Sequence, residues 1–255
     1  MVKNKPTYPI KVLNKSLSIL ETLLQHNSPM SMTEISEKLG LYPSNIHRIL
    51  DTLKHWGYVE QESNNQKYQL GLKLLELGMA KLHQIDLVKE AHPFLKELVN
   101  KCNETVHLGV LEEEEVLYLA KEESSQIIRM CSYVGKRAPV HCTALGKVLL
   151  AYLPEGEKRK ILGKRELPRL TEKTITDKEE LEKELNKVKK QGFALDRGEN
   201  EKDVQCIAAP IRNFQGKIIA AISISGPAYR VDIDKQNYLK EALIEMSKKI
   251  SKRSR

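Results

Sequence analysis

The forty residues Ser31–Leu70 constrain this chain more than any other stretch, because several helix, turn and strand signals are compressed into them. Ile46, Ile49, Leu50 and Leu53 fall at i, i+3, i+4 and i+7, the apolar stripe of a helix over 42–55. Pro43 suits its first turn, where a missing N–H has no partner in any case, and Gly57 marks its end. Ser44, Arg48, Asp51 and His55 point away from the stripe, flanked by Asn45, His47 and Thr52. Ahead of it, Ser31 and Glu34 have capping-box spacing for a shorter helix with Ile35 and Leu39 inside. Gly40-Leu41 makes the turn between the two, glycine permitting a positive φ. Behind them, 58–60 and 67–70 alternate as strands around a polar tip at 62–66.

In that order these elements spell a winged helix-turn-helix. A helical hairpin in any small core would explain the helix pair, but not the capped start, the proline and the wing together. The second helix would then enter a major groove of double-stranded DNA. Arg48 is placed for a bidentate contact to guanine and Asn45 to adenine, each worth roughly 1–3 kcal/mol of discrimination. Ser31 and Thr33 on the first helix, Ser44, His47 and Thr52 on the second, and Lys54 and Lys67 beside them complete the expected contact set.

Charge enters here as a test. The 255 residues carry a net +8, yet residues 1–80 hold nine basic and seven acidic side chains. A diffuse basic surface is therefore excluded, and phosphate contacts fall to placed residues such as Lys3, Lys5, Lys11, Lys54 and Lys67. Lys248, Lys249, Lys252, Arg253 and Arg255 carry much of the excess and read as a solvated helix end. No apolar run approaches the roughly 20 residues of a membrane span, and MVKNKPTYPI has no hydrophobic h-region. The expectation is a cytoplasmic protein without membrane contact. Its four cysteines form no C-x-x-C pair and read as reduced, mostly buried thiols.

Along the chain, Leu13, Leu17, Leu20 and Leu24 mark a first amphipathic helix that floors the small core. The helix over 72–85 shows Leu72, Leu75, Met79 and Leu82 on one side. It reads as a connector or a dimer contact, or as a helix packed within its own chain. Asp86 then caps a helix with Leu87, Val88, Ala91, Leu95, Leu98 and Cys102 inward. Strands are expected at 105–111, 116–120, 127–131, 193–196, 204–212 and 217–225, with an acidic turn at 112–115 and a hairpin at 213–216. A charged helix over 179–191 closes at Gly192, and an amphipathic helix over 234–252 ends the chain. Without regular βαβ units, this predicts an antiparallel α+β domain. The divisions expected are 1–71, 72–85 and 86–255.

Three stretches of the second domain carry candidate chemistry. His141–Lys147 is a small-residue loop entering a helix, whose free N–H groups could hold a carboxylate; from the residues alone, a plain helix capped by Thr143 is the somewhat better account. Asp196 precedes Cys206 by ten residues. Ser223 and Ser225 share one face of the last strand, either inside a pocket or toward solvent. A thiol-dependent enzyme using Cys142 or Cys206, with the winged domain as an interaction module, is the alternative. It lacks a nucleophile elbow, a Walker loop or any dinucleotide fingerprint. Cys131, His141, Cys142 and Cys206 lack the spacing of a zinc site, so no metal or cofactor is expected.

The stretches LKHWGYVEQ…KYQLGLKLLELG, VHCTALGKVLLAYLP and GENEKDVQCIAAPIRNFQGKIIAAISISGP resemble the IclR family of bacterial transcriptional regulators over about residues 10–250. The resemblance implies a winged helix-turn-helix, a dimerising connecting helix and a GAF-like effector domain with an antiparallel sheet. It implies homodimers, often dimers of dimers, on palindromic operators, and most often repression of catabolic operons. The implied effector is a small organic acid, held by the backbone amides of Ala144 and Leu145 and by Asp196, Cys206, Ser223 and Ser225. Ile128 and Met130 would form its apolar wall. The polar set favours a short keto or hydroxy acid, and the 2-keto-3-deoxygluconate regulators are the branch most resembled.

Overall fold

A computed structural model of the chain describes residues 10–128, 130–163, 166–231 and 233–254. They divide into two compact units, Met1–Gln84 and Ile85–Arg255. Lys3, Lys5 and Arg255 lie outside the described residues.

The first unit contains α1 (Lys11–His26), α2 (Met32–Leu39), α3 (Pro43–His55), the strands β1 (Val59–Gln61) and β2 (Tyr68–Leu70), and α4 (Leu72–His83). The Ser31/Glu34 capping box is complete: the Glu34 N–H donates to Ser31 Oγ at 3.2 Å and the Ser31 N–H to Glu34 Oε2 at 2.6 Å. Gly40 adopts φ +61° after α2. Ser36 then closes the turn, its buried hydroxyl donating to the Leu41 carbonyl at 2.6 Å. Ile19, Leu23, Ile35, Ile46, Ile49, Leu50 and Val59 make the core. β1 and β2 pair antiparallel as the wing, and Met30, not foreseen, bridges to Tyr68.

One helix departs from expectation. In α1 the buried face is Ile19, Thr22 and Leu23. Leu13, Leu17 and Leu24 stay exposed, and Leu20 packs at the rim of the core. α1 carries two apolar stripes, and periodicity alone does not select which one a small core takes. α4 has no buried residue, and its start is tied to the first unit, the Leu72 N–H donating to Glu60 Oε1 at 3.2 Å.

The second unit is a six-stranded sheet in the order β5-β4-β3-β8-β7-β6, every neighbouring pair antiparallel. Its strands are β3 (Thr105–Glu112), β4 (Glu115–Glu122), β5 (Arg137–Pro139), β6 (Ala194–Asp196), β7 (Val204–Arg212) and β8 (Ile218–Pro227). One face carries α5 (Asp86–Cys102) and α9 (Ile233–Arg253) over Val106, Leu108, Ile207, Ile222 and Ile224. The other carries α6 (Ala144–Ala151) and α8 (Lys178–Gln191), with α7 (Glu155–Gly163) between them in the chain. Asp86 sits in the first turn of α5 and Ile85 is the N-cap.

Of the strand expected over 127–131, the described residues 127, 128, 130 and 131 are in no strand. Side-chain cations take its carbonyls in place of a ladder. Arg230 donates to Ile128 O at 3.0 Å, Lys121 to Met130 O at 3.0 Å, and Lys136 to Cys131 O at 3.2 Å. The sheet edge is β5 instead. The basic C-terminal end is not merely solvated. Lys249 pairs with Glu97 at 3.4 Å and Glu245 at 2.8 Å, and the Arg253 guanidinium lies 4.9 Å over the Phe94 ring.

Candidate functional site

In the first unit α3 presents Ser44, Asn45, His47, Arg48 and Thr52 to solvent while Ile46, Ile49 and Leu50 stay inside. Not all of the expected contact residues are unengaged. Thr52 Oγ1 donates back to the Arg48 carbonyl at 2.9 Å. Lys54 donates to Gln61 of the wing at 3.0 Å, and Lys67 lies 4.0 Å from Glu34. Ser31 is half-buried and occupied in its cap, whereas Thr33 is exposed. Tyr42, not foreseen as exposed, stands 79% accessible at the N-cap of α3.

In the second unit strand register assembles a cavity of about 250 Å³. Ser225 is opposite both Thr105 and Cys206, Ser223 is opposite His107, and Cys206 is opposite Asp196. Alternation then puts His107, Cys206, Ser223 and Ser225 on the α6 face, while their neighbours Val106, Ile207 and Ile224 face α5 and α9. The cavity is lined by Met130, Ala144, Leu145, Asp196, Cys206, Ser223 and Ser225, seven of the eight expected residues. Ile128 is the exception. It is 60% exposed and outside the lining, because the segment that carries it is not a strand of the sheet.

Ser223 and Ser225 are buried and do not face solvent. Thr143 caps α6, accepting from the Gly146 N–H at 3.1 Å. Capping leaves Ala144 and Leu145 as the first two helical residues, whose N–H groups have no intrahelical acceptor. α6 is set this close to the wall by Gly146: a Cβ there would meet the Val140 backbone at 2.4 Å.

Asp196 is 2% exposed. Its Oδ1 accepts from the Glu199 N–H at 2.7 Å and the Gly198 N–H at 3.1 Å. Burial nevertheless pushes its pKa up to about 6. Burial also holds His107 near 3, hence neutral. Its Nε2 meets Ser132 Oγ at 2.7 Å and its ring lies 4.9 Å from that of Tyr118. His107, Tyr118, Ser132 and Asn200 line the same cavity and were missed as site residues. The readable signal for His107 was its alternation with Val106 and Leu108 on a strand.

Two family models match the chain: the IclR helix-turn-helix domain over residues 12–63 and the C-terminal domain of bacterial IclR transcriptional regulators over 79–252. The chain belongs to the IclR family. Its fold is the family's, an N-terminal helix-turn-helix followed by a curled antiparallel sheet with helices, and it is a DNA-binding transcriptional regulator with an effector domain. Among relatives, it is 38% identical to the HTH-type transcriptional regulator KdgR of Escherichia coli over 237 residues, 93% of this chain and 90% of that one. The Thermotoga maritima IclR structure superposes with a TM-score of 0.77 at 33% identity, covering 96% of this chain and 99% of that one. An IclR homolog of Microbacterium hydrocarbonoxydans complexed with 4-hydroxybenzoate gives 0.82 at 28% identity, covering 94% and 98%.

The thiol-enzyme reading has no support in this IclR-family regulator. Its relatives are named as regulators of transcription. Burial also pushes the Cys142 thiol up to about 12 and raises that of Cys206, the opposite of an activated nucleophile. Among the described residues, no cluster of three His, Cys, Asp or Glu side chains could hold a metal ion, and no helix is long and apolar enough to cross a membrane.

Proposed function

We propose that this regulator is a cytoplasmic repressor of a catabolic operon, released or retuned by a small keto or sugar acid bound in the α6 cavity. The carrying observation is the meeting of the Ala144–Leu145 helix start with Asp196, Ser223 and Ser225 in one enclosure. The helix start suits a carboxylate, and the dipole adds to its exposed N–H groups. The acid and the two hydroxyls suit keto and hydroxyl oxygens further along the ligand, and Met130 gives the apolar wall. A volume of about 250 Å³ lies below the roughly 300–1,000 Å³ of drug-sized sites, which favours a small ligand. The 4-hydroxybenzoate with which the Microbacterium hydrocarbonoxydans homolog is complexed supports an organic acid as the class of ligand.

The DNA end of the reading rests on Ser44, Asn45, His47 and Arg48 of α3 reaching base edges. Ser31, Thr33, Thr52, Lys54 and Lys67 act at phosphates or position the helix. The exposed leucines of α4, within the connecting segment 72–85, support a homodimer on a palindromic operator. DNA and effector must then change each other's affinity reciprocally.

A thermal-shift panel of keto acids, sugar acids and 4-hydroxybenzoate tests the reading. A ligand at 100 times its Kd stabilises the native state by about 2.7 kcal/mol. The expected result is a hit among the keto or sugar acids that is lost in Asp196→Ala and Ser223→Ala and that alters operator affinity. A hit that survives both substitutions overturns the assignment of the cavity.

A further inference from the structure

Beside the cavity, and outside its lining, lies a fully buried cation. Lys147 sits one turn along α6 from Ala144 and is 0% exposed. Its Nζ donates to both Glu199 oxygens, at 2.6 and 2.8 Å, with Glu184 of α8 at 3.9 Å. Glu199 is itself the residue whose N–H donates to Asp196 Oδ1 at 2.7 Å. Its carbonyl accepts from Thr174 Oγ1 at 2.6 Å, and the Gly198 carbonyl from Thr171 Oγ1 at 2.7 Å. One continuous run of direct contacts therefore joins the helix presenting the Ala144 and Leu145 amides to the turn presenting the Asp196 carboxylate.

We propose that the Lys147–Glu199 ion pair is the positioning element of the effector cavity, fixing the Asp196 turn at a set distance from the start of α6. This rests on the effector reading above and deepens it. Two groups that must grip opposite parts of one small acid stand on elements far apart in sequence, the start of α6 and the last residue of β6. The ladder ends at the Asp196–Cys206 pair and places the Asp196 backbone; the turn beyond the ladder holds the carboxylate, through the Gly198 and Glu199 N–H groups. The ion pair ties that turn to α6, and the two threonines hold it through its carbonyls. A buried pair adds little net stability over an apolar substitute, so its use here lies in fixing geometry. Here Lys147 supplies the cation and Glu199 receives it through both oxygens.

The pair also sets the charge felt by Asp196. Lys147 favours the ionised carboxylate and Glu199 disfavours it. Tyr118 of β4, Cys142 ahead of α6, Cys206 of β7 and His107 of β3 also face the cavity and are held neutral by burial. Lys136, Arg137 and Glu201 line it as well, and the charged side chains that bear most on Asp196 are Glu199 and Lys147.

The test uses the full chain with Lys147→Met, Glu199→Gln and the double variant, which leaves no lone buried charge and so keeps the fold accessible. The first readout needs no ligand: carbon-13 carboxylate NMR of Asp196, assigned with Asp196→Asn, alongside amide exchange at Gly198 and Glu199. Lys147→Met should raise the Asp196 titration midpoint and Glu199→Gln should lower it. In the double variant both amides should exchange at least about tenfold faster while global stability is retained. The second readout is calorimetric affinity for 2-keto-3-deoxygluconate as probe, expected to fall at least about tenfold in the double variant. Unchanged amide exchange at Gly198 and Glu199 in the double variant overturns the proposal. Failure of the wild-type chain to bind any acid would instead break the effector reading, and the ligand-free readout would still decide this one.

Discussion

The two units of this regulator expose their chemistry in opposite ways. In the first, the side chains expected to reach base edges stand on the solvent side of a single helix, and Ile46, Ile49 and Leu50 of that same helix hold it down. One thirteen-residue element contains both the reading face and its anchor. In the second, no single element contains the site. Asp196, Cys206, Ser223 and His107 come from four strands, and Ala144 and Leu145 come from a helix. All are oriented by long-range pairing and sit out of water or close to it. A DNA-reading face works on a large polyanion that comes to the surface, so exposure serves it. A site for a small acid must remove water and preorganise its few polar groups, so burial serves it. The first arrangement tolerates local errors, whereas the second depends on every layer around it.

The largest expected effect breaks the second unit alone. In Gly146→Ala a Cβ would come within 2.4 Å of the Val140 Cα and carbonyl oxygen, rigid backbone that cannot rotate away. The helix must lift off the wall it defines. A destabilisation at or above the upper end of core overpacking, about 3 kcal/mol, is expected. Hydrogen exchange followed by mass spectrometry on the full chain should show faster exchange across 85–254 and little change across 10–84. Uniform loss of protection in both units would break the comparison.

The same contrast explains what could be read from the chain beforehand. The helix-turn-helix was legible nearly to the residue, because capping boxes, proline starts and glycine stops are local signals. The α1 leucines misled because Leu13, Leu17 and Leu24 form a regular stripe that the core of this unit does not use. In the second unit the strands were legible as segments, and the shared face of Ser223 and Ser225 followed from alternation. Which residues would stand opposite one another was not legible. That Ser223 meets His107, 116 positions away, is fixed by sheet order and not by any neighbour in sequence. Ile128 was misplaced for a related reason. The apolar run Ile127–Ile128 resembles a strand, but Arg230, 102 positions distant, holds its carbonyl outward. No neighbour in sequence marks Lys147 as a buried charge; its partner Glu199 lies 52 positions on.

A second effect, of about 2 kcal/mol, tests burial itself. His107 is held near 3 from an ordinary 6.5, and Asp196 is pushed up to about 6 from 3.8. Below pH 6.5 the unfolded chain gains a proton at His107 that the folded chain does not, so this group makes stability fall as pH drops. Asp196 acts in the opposite sense. Between 3.8 and 6 the folded chain holds a proton that the unfolded chain has released, so this group makes stability rise as pH drops. Across that shared window the two slopes offset, each up to about 1.4 kcal/mol per pH unit. Urea unfolding at pH 4.5, 5.5 and 6.5 should therefore separate the variants. Relative to the wild-type chain, His107→Gln should gain stability on acidification and Asp196→Asn should lose it more steeply. Parallel curves for all three would mean that neither group is as buried as the cavity requires.

The smallest effect sharpens the other side of the comparison. Ser31→Ala removes the hydroxyl that accepts the Glu34 N–H at 3.2 Å, and with it half of the capping box at the start of α2. The Glu34 carboxylate can still accept from the residue 31 N–H, since that donor is backbone. Only one of the two reciprocal bonds is lost, so a cost of about 1 kcal/mol is expected. α2 packs on α3 through Ile35, and the turn between them is closed independently by Ser36. The recognition helix should therefore keep its place. Operator affinity at a temperature well below unfolding should change less than about twofold, while the midpoint of thermal unfolding of the first unit falls by a few degrees. A large loss of operator affinity with little loss of stability would show that Ser31 itself contacts DNA. The DNA face would then extend from α3 to the start of α2, and this unit too would depend on residues drawn from more than one element.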